Sequence, residues 1–237
     1  MEFKISKELI TQIENLIQHN NIVELESILH EIHFADIAEI MNDLDTSEAI
    51  YLFNLLDSEI TAEILLELDD EVRENILRSL SAKEIAEELD ELDTDDAADI
   101  IAELPQSKKA QVISELEDVE HAKDIVDLLR YDENTAGGIM AKELVKVNEN
   151  WNVLTCVKEM RLQAENVTRV HSIYVIDDEE RLKGRLSLKD LLTTSTKTPI
   201  SDIYIPKVDY VKVDTKDVEV ARIMQKYDFE AIPVVDE

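Results

Sequence analysis

The sequence predicts a multidomain protein. An all-α, superhelical (solenoid-like) N-terminal domain is followed by an α/β half built from two copies of one small unit, the second copy incomplete. Three observations lead there: a 12-residue repeat in the first half, a concentration of acid in that same half, and an internal echo in the second half.

The repeat comes first. From Phe34 the chain reads in blocks of 12: FADIAEIMNDLD, TSEAIYLFNLLD, SEITAEILLELD, DEVRENILRSLS, AKEIAEELDELD, TDDAADIIAELP and QSKKAQVISELE. Position 11 is leucine throughout: Leu44, Leu56, Leu68, Leu80, Leu92, Leu104 and Leu116. Position 8 is always apolar: Met41, Phe53, Leu65, Leu77, Leu89, Ile101 and Ile113. The block before, from Ile22, adds Leu29 and Ile32. Apolar residues at positions 4, 7, 8 and 11 have the three- and four-residue spacing of one helix face. Ser, Thr, Asp or Pro105 at the block edges cap or stop helices. Each block therefore reads as a short helix plus a tight turn, and stacked pairs of blocks give an α-solenoid whose neighbours supply one another's core. One continuous helix is a poor alternative. A 12-residue period drifts around a helix axis, and Pro105 would break the helix.

The acid lies in the same place. The chain carries a formal charge of -31 over 237 residues. Residues 1–133 hold 37 acids against 9 bases, and residues 134–237 hold 18 against 15. Such a surface repels nucleic acid and anionic lipid, and favours cations or basic proteins as partners. Hydrophobic residues at 44% suffice for a core, and the 5% aromatics suit helices packed through Leu, Ile and Ala. Cys156 is the one cysteine, so no internal disulfide framework exists and a reducing compartment is expected. The start, MEFKISKELI, lacks a signal peptide's apolar stretch, and no run approaches the roughly 20 apolar residues of a membrane span. The chain as given is expected to be soluble and cytosolic.

Glycine is absent from residues 1–133, and then YDENTAGGIM places Gly137 and Gly138 side by side. This break is read as an interdomain joint. Beyond it come a short strand at Val145–Val147, an amphipathic helix over Trp151–Leu162, a strand at Ser172–Ile176, another at Leu182–Leu186 and a helix from Ser187 to Leu192. A second copy follows. VKVDTKDVEVARIMQKYD echoes VKVNENWNVLTCVKEMRL, and AIPVVDE echoes SIYVIDDE. The counterpart of LKGRLSLKDLL is missing, which leaves a sheet edge open and makes the chain read as a fragment.

These two copies resemble a tandem CBS domain pair, a regulatory module that specifies no activity alone. With the acidic superhelix and YDENTAGGIM before it, the whole chain resembles the cytosolic part of MgtE-type magnesium transporters. HFADIAEIMNDL and TDDAADIIAELP carry the likeness in the helical part, and the pattern YxExTAGGxM is a hallmark of that family. The implied organisation is an MgtE N domain over residues 1–133, a first CBS repeat over 134–198 and an incomplete second over 199–237. A transmembrane domain would follow in the full-length protein, putting this region at the cytoplasmic face of the membrane. No enzyme is implied. No nucleophile–base arrangement or phosphate-cradling glycine loop is present.

The acid gives this a physical basis. Magnesium takes hard oxygen ligands and keeps several waters, so a sensor needs carboxylates a few ångströms apart and no cage. Asp95 and Asp99 lie four apart with Glu103 one turn on, and Glu63 and Glu67 repeat the spacing. Like charges so placed cost about 0.2–0.5 kcal/mol per pair, which a bound divalent ion removes. The resemblance selects Glu63, Asp95 and Asp99 as ligands between the helical and CBS domains, with Asp96 adjacent and Asp228 contributed by the second repeat. Lys216 stands where relatives can place an acid, which weakens one ion site expected between the CBS domains of two subunits. Ser187 and Asp190 match the ribose-binding stretch of nucleotide-binding CBS repeats, so ATP or another adenine nucleotide is a second implied ligand. A homodimer through the CBS domains is implied as well.

Each of these acids has a plainer reading as solvated surface, and Asp95 and Asp96 suit the first turn of a helix. His30 and His33 lack further ligands for zinc, and Cys156 is expected in the core. The reading set against magnesium sensing is an adenine-nucleotide-sensing CBS adaptor that docks on a protein partner.

Overall fold

The computed structural model describes residues 5–164, 167, 170 and 172–236. It divides into two compact units, Met1–Leu92 with Asp96–Lys123, and Asp93–Asp95 with Asp124–Glu237. The helices before the first strand are α1 (Lys7–Gln18), α2 (Ile22–Leu29), α3 (Phe34–Asp43), α4 (Thr46–Phe53), α5 (Ser58–Glu67), α6 (Asp70–Ser79), α7 (Ala82–Leu89), α8 (Thr94–Glu103), α9 (Gln106–Glu115) and α10 (Val119–Leu128).

From α3 to α9 every helix begins at the first residue of its 12-residue block, so the repeat is the helix register. The caps follow the block edges in part. Asp45 Oδ1 accepts from the amides of Ser47 and Glu48, and Ser81 and Glu84 form a reciprocal capping box. Asp57, Asp69 and Pro105 occupy the same place without a side-chain cap bond.

The invariant leucine does something other than its spacing suggests. The spacing groups position 11 with positions 4, 7 and 8 on one helix face. Leu44, Leu68, Leu80 and Leu116 instead lie just past their helices in extended backbone, with ψ of 163°, 146°, 149° and 133°. Their side chains turn back into the core, where they are buried together with Leu92 and Leu104. The leucine thus seals the gap where the chain leaves one helix for the next. Burying such a side chain is worth about 1.5–3 kcal/mol.

Helices pack on their next-but-one neighbours. In the first unit α3 packs on α5, α5 on α7 and α7 on α9, while α4 packs on α6. The odd series carries a polar tie at each step. Asn42 Oδ1 accepts from the Asp69 amide at 3.0 Å, Thr61 Oγ1 lies 2.6 Å from Glu88 Oε2, and Asp90 Oδ2 accepts from the Glu117 amide at 2.9 Å. Every tie joins residues 27 apart, two blocks and three residues. In the other series Arg73 of α6 forms a two-point ion pair with Glu103 of α8, at 2.9 and 3.0 Å.

The second unit holds a four-stranded sheet in the order β1 (Val145–Asn148), β2 (Ile173–Ile176), β3 (Leu182–Leu186), β4 (Ile205–Pro206). β1 and β2 are parallel, joined through α11 (Val153–Gln163), and the other pairs are antiparallel. α12 (Leu188–Thr193) follows β3. The core gathers Val145, Val147, Val153, Cys156, Ile173, Val175, Leu186, Leu191 and Ile200. Cys156 is buried, as its sequence position suggests, and burial pushes its thiol up to about 11. Gly184 is required by a close approach, since a Cβ there would lie 2.4 Å from the Ile205 carbonyl oxygen. The second copy provides β5 (Val211–Lys212), α13 (Asp217–Tyr227) and β6 (Val234–Val235), with β5 and β6 parallel.

The two copies exchange their leading segments. The amides of Ala136 and Gly137 donate to the carbonyls of Thr215 and Val213, at 2.7 and 2.9 Å. The amides of Ile200 and Ser201 donate to Trp151 and Glu149, at 2.8 and 3.0 Å. Ala136 joins Val211 and Val220 in the core of the second copy, while Ile200 belongs to the core of the first. The glycines of YDENTAGGIM are therefore held within this exchange. Neither has a positive φ; a Cβ on Gly137 would strike the Tyr131 ring at 2.6 Å, and one on Gly138 the Asp132 carbonyl oxygen at 2.3 Å.

Candidate magnesium-binding site

Helix α8 carries the candidate carboxylates. It is anchored at its first residue. The Thr94 amide donates to Glu143 Oε1 at 3.0 Å and the Thr94 hydroxyl to Oε2 at 2.9 Å, while the Lys142 amide donates to Thr94 Oγ1 at 3.0 Å. Thr94 and Glu143 both belong to the second unit, and Thr94 is buried. A carboxylate on the first turn completes amides that the helix leaves open and complements the positive end of its dipole. Asp95 and Asp96 follow at once, half-buried, and the exposed Asp99 lies one turn on from Asp95. The i,i+4 placement on a regular helix puts Asp95 and Asp99 on one face.

The other sequence-selected residues lie elsewhere. Glu63 is half-buried on α5. Asp228 ends α13 in the left-handed region, with φ 56° and ψ 47°, and is exposed. An aspartate accepts that conformation more readily than most residues, so Asp228 also has a terminating role. Lys216 precedes α13, with Nζ 3.9 Å from Asp132 Oδ1. The amides and side chain of Asn134, then Lys216, hold the Asp132 carboxyl below the usual carboxylate range. Ser187 caps α12 by accepting from the Asp190 amide at 3.4 Å, and both residues are half-buried. His33 caps α3 through Nδ1 and stacks near Phe34, ring centroids 4.2 Å apart.

Among the described residues no three His, Cys, Asp or Glu side chains close to a metal-holding cluster. Asp95, Asp96 and Asp99 share one helix; Glu63 stands on another, and Asp228 belongs to the second unit. The donor set fits a hard, hydrated cation: all oxygen, with one or two carboxylates per helix face and room for water.

Two residues of consequence escaped the sequence reading. Glu143 sits in a loop where no periodicity points to it. Glu88 was legible in principle, because it occupies position 7 of its block where the other six have Ile40, Leu52, Ile64, Ile76, Ile100 and Val112. Burial pushes its carboxyl up to about 7, against the lowering effect of the Thr61 hydrogen bond and with Glu87 and Glu91 adding to the rise.

The MgtE intracellular N domain matches residues 32–134, and the CBS domain matches residues 136–196 and 200–237. The crystal structure of the cytosolic domain of the Mg2+ channel MgtE in complex with ATP superposes with a TM-score of 0.85 at 34% identity, over 96% of this chain and 93% of that one. This chain belongs to the MgtE family. A second structure, the soluble part of a magnesium transporter, gives a TM-score of 0.80 at 29% identity, over 97% of this chain and 90% of that one. The magnesium transporter MgtE of Thermus thermophilus is 42% identical over 127 residues, half of this chain and 28% of that protein. MgtE of Enterococcus faecalis is 37% identical over 117 residues, 49% of this chain and 26% of that protein. The matched stretch thus spans about a quarter of these MgtE transporters. MgtE N and CBS domains are regulatory parts of a transporter and not enzymes.

Proposed function

We propose that this chain senses magnesium and gates a magnesium-selective transmembrane channel to which it is attached. The observation that carries the reading is the likeness over 96% of the chain to the cytosolic domain of a Mg2+ channel, beside a family match over residues 32–134 that includes the acidic helix α8. Asp95 and Asp99, with Asp96, Glu63 and Asp228, hold hydrated Mg2+ ions. At low magnesium the carboxylates of the site repel one another; at high magnesium bound ions cancel the repulsion and favour the closed arrangement, a population shift driven by differential binding. The site of action is the cytoplasmic face of the membrane. No helix among the described residues is long and apolar enough to cross it.

Two further parts belong to the reading. A related cytosolic domain was solved in complex with ATP, which supports an adenine nucleotide as a second ligand here, near Ser187 and Asp190. Leu154 and Leu162 on α11 and Leu188 and Leu192 on α12 are 50%, 60%, 58% and 76% exposed, a set of apolar side chains that supports dimerisation through the CBS repeats.

Small-angle scattering with and without several millimolar magnesium, an order suited to weak carboxylate sites, tests the proposal. Compaction with magnesium, blunted in the Asp95→Ala/Asp99→Ala double variant, is the expected result. Unchanged dimensions would overturn sensing. Calorimetry with ATP and AMP separates the adaptor reading, which requires nucleotide binding and no response to magnesium.

A further inference from the structure

Among the described residues Glu88 is the one buried carboxylic acid, and neither the ion site nor a helix cap uses it. It lies on α7 at a repeat position that is otherwise apolar, and α7 packs on α5 and α9. Its Oε2 is 2.6 Å from Thr61 Oγ1 of α5. The Thr61 hydroxyl has one proton to give and also lies 3.2 Å from the Asp57 carbonyl oxygen. With Glu88 ionised, the hydroxyl donates to the carboxylate, so this contact is kept but a charge stands in the buried layer. With Glu88 neutral, its O–H can donate to Thr61, Thr61 can donate to Asp57, and no charge is buried.

The surrounding charges favour the neutral form. From α5 the facing group is Thr61. On α7 and just beyond it, Glu87 and Glu91 add negative charge, and Lys83 pairs with Glu87 at 3.1 Å. From α9 the nearby cation is Lys108, but its ammonium is held by the carbonyls of Leu77 and Leu80, and the α7 carboxylate it acts on is Glu84. Glu88 forms no ion pair among the described residues.

We propose that Glu88 is a proton-operated latch in the packing of α7 on α5, closed when its carboxyl is neutral and loosened when ionisation leaves a buried charge that the Thr61 hydroxyl only partly offsets. The sign follows from burial. The folded value, about 7, stands above the ordinary 4.5, so the stabilisation is complete below the ordinary value and is lost as pH rises through about 7. Acidification tightens this step of the superhelix and alkalinisation loosens it, with no magnesium required.

The test is a 13C carboxyl NMR titration of the full chain, with the Glu88 resonance assigned through Glu88→Gln. A midpoint above about pH 6, moved higher in Thr61→Val, supports the latch; a midpoint in the ordinary carboxylate range, below about 5, overturns it. Urea unfolding followed by helical signal gives a second readout. Between about pH 5.5 and 8 the wild type should be destabilised about 30-fold more than Glu88→Gln. Equal pH dependence in the two proteins would overturn the latch independently, and if Glu88→Gln fails to fold, through-bond assignment of the Glu88 carboxyl in the wild type keeps the NMR arm decisive.

Discussion

Glu143 accepts both hydrogen bonds that Thr94 has to give, amide to Oε1 and hydroxyl to Oε2, and so caps α8 from a loop 49 residues away. Ordinary caps come from the residue preceding the helix. Here the anchor of the helix bearing Asp95 and Asp99 depends on a tertiary contact. Glu143→Ala should cost about 1–2 kcal/mol in chemical denaturation, the scale of a lost cap with a buried partner left unsatisfied. A double-mutant cycle with Thr94→Ala should show strong coupling; additive losses would refute the cap.

The sealing leucines give a graded prediction. Leu68→Ala and Leu104→Ala remove side chains only 4% and 5% exposed and should each cost about 2–5 kcal/mol. Leu56 is half-buried, so Leu56→Ala should cost clearly less despite its identical repeat position. Urea midpoints across the series decide it.

Asp90 and Asn42 hold the same place in blocks four repeats apart, and both accept from a backbone amide 27 residues on. Asp90 Oδ1 is also buried without a partner among the described residues. Asp90→Asn keeps the accepting oxygen and removes a poorly placed charge. It should leave stability unchanged or raise it by up to about 1 kcal/mol, whereas Asp90→Ala should lower it. Thermal melts of the two variants should move in different directions or by clearly different amounts.

Asp45 supplies the acid-side prediction. Its contacts with Ser47 and Glu48 hold its carboxyl below the ordinary value of 3.8. Its stabilising effect is therefore present above that value and is lost as pH falls through the lowered one. Asp45→Ala should remove part of the acid-side decline in stability and leave the slope near neutrality unchanged. Melts across the acid range, compared with wild type, measure it.

Much of this structure was legible beforehand, for identifiable reasons. The repeat marks one short helix per block because its apolar positions 7 and 8 are the buried ones and its edges carry residues that cap or stop helices. β1 to β3, α11 and α12 fell close to their expected places because β-branched runs and an Asn or Ser cap mark them. Position 11 was misread because spacing alone does not distinguish the last turn of a helix from a residue folded back beyond it. The doublet Gly137–Gly138 marks a break in composition, but that each glycine also serves a close approach, to Tyr131 and to Asp132, shows only in the folded chain. Of the site, the face shared by Asp95 and Asp99 could be read from their spacing; Glu143 could not, since only the folded chain brings it to Thr94. Glu88 departs from the apolar pattern of position 7, but its significance needed the Thr61 hydroxyl across the gap.

The exchange of Ala136 and Ile200 has a consequence for synthesis. A ribosome making this chain releases the first CBS repeat before it has made Ile200, which completes that repeat's core. Ala136 waits longer, until Val211 and Val220 emerge to receive it. Neither repeat can finish alone, so the pair should mature in one late step once the second copy has left the exit tunnel. The helical superhelix, whose contacts run mostly between blocks two apart, has no such delay and can consolidate while the rest is still being translated.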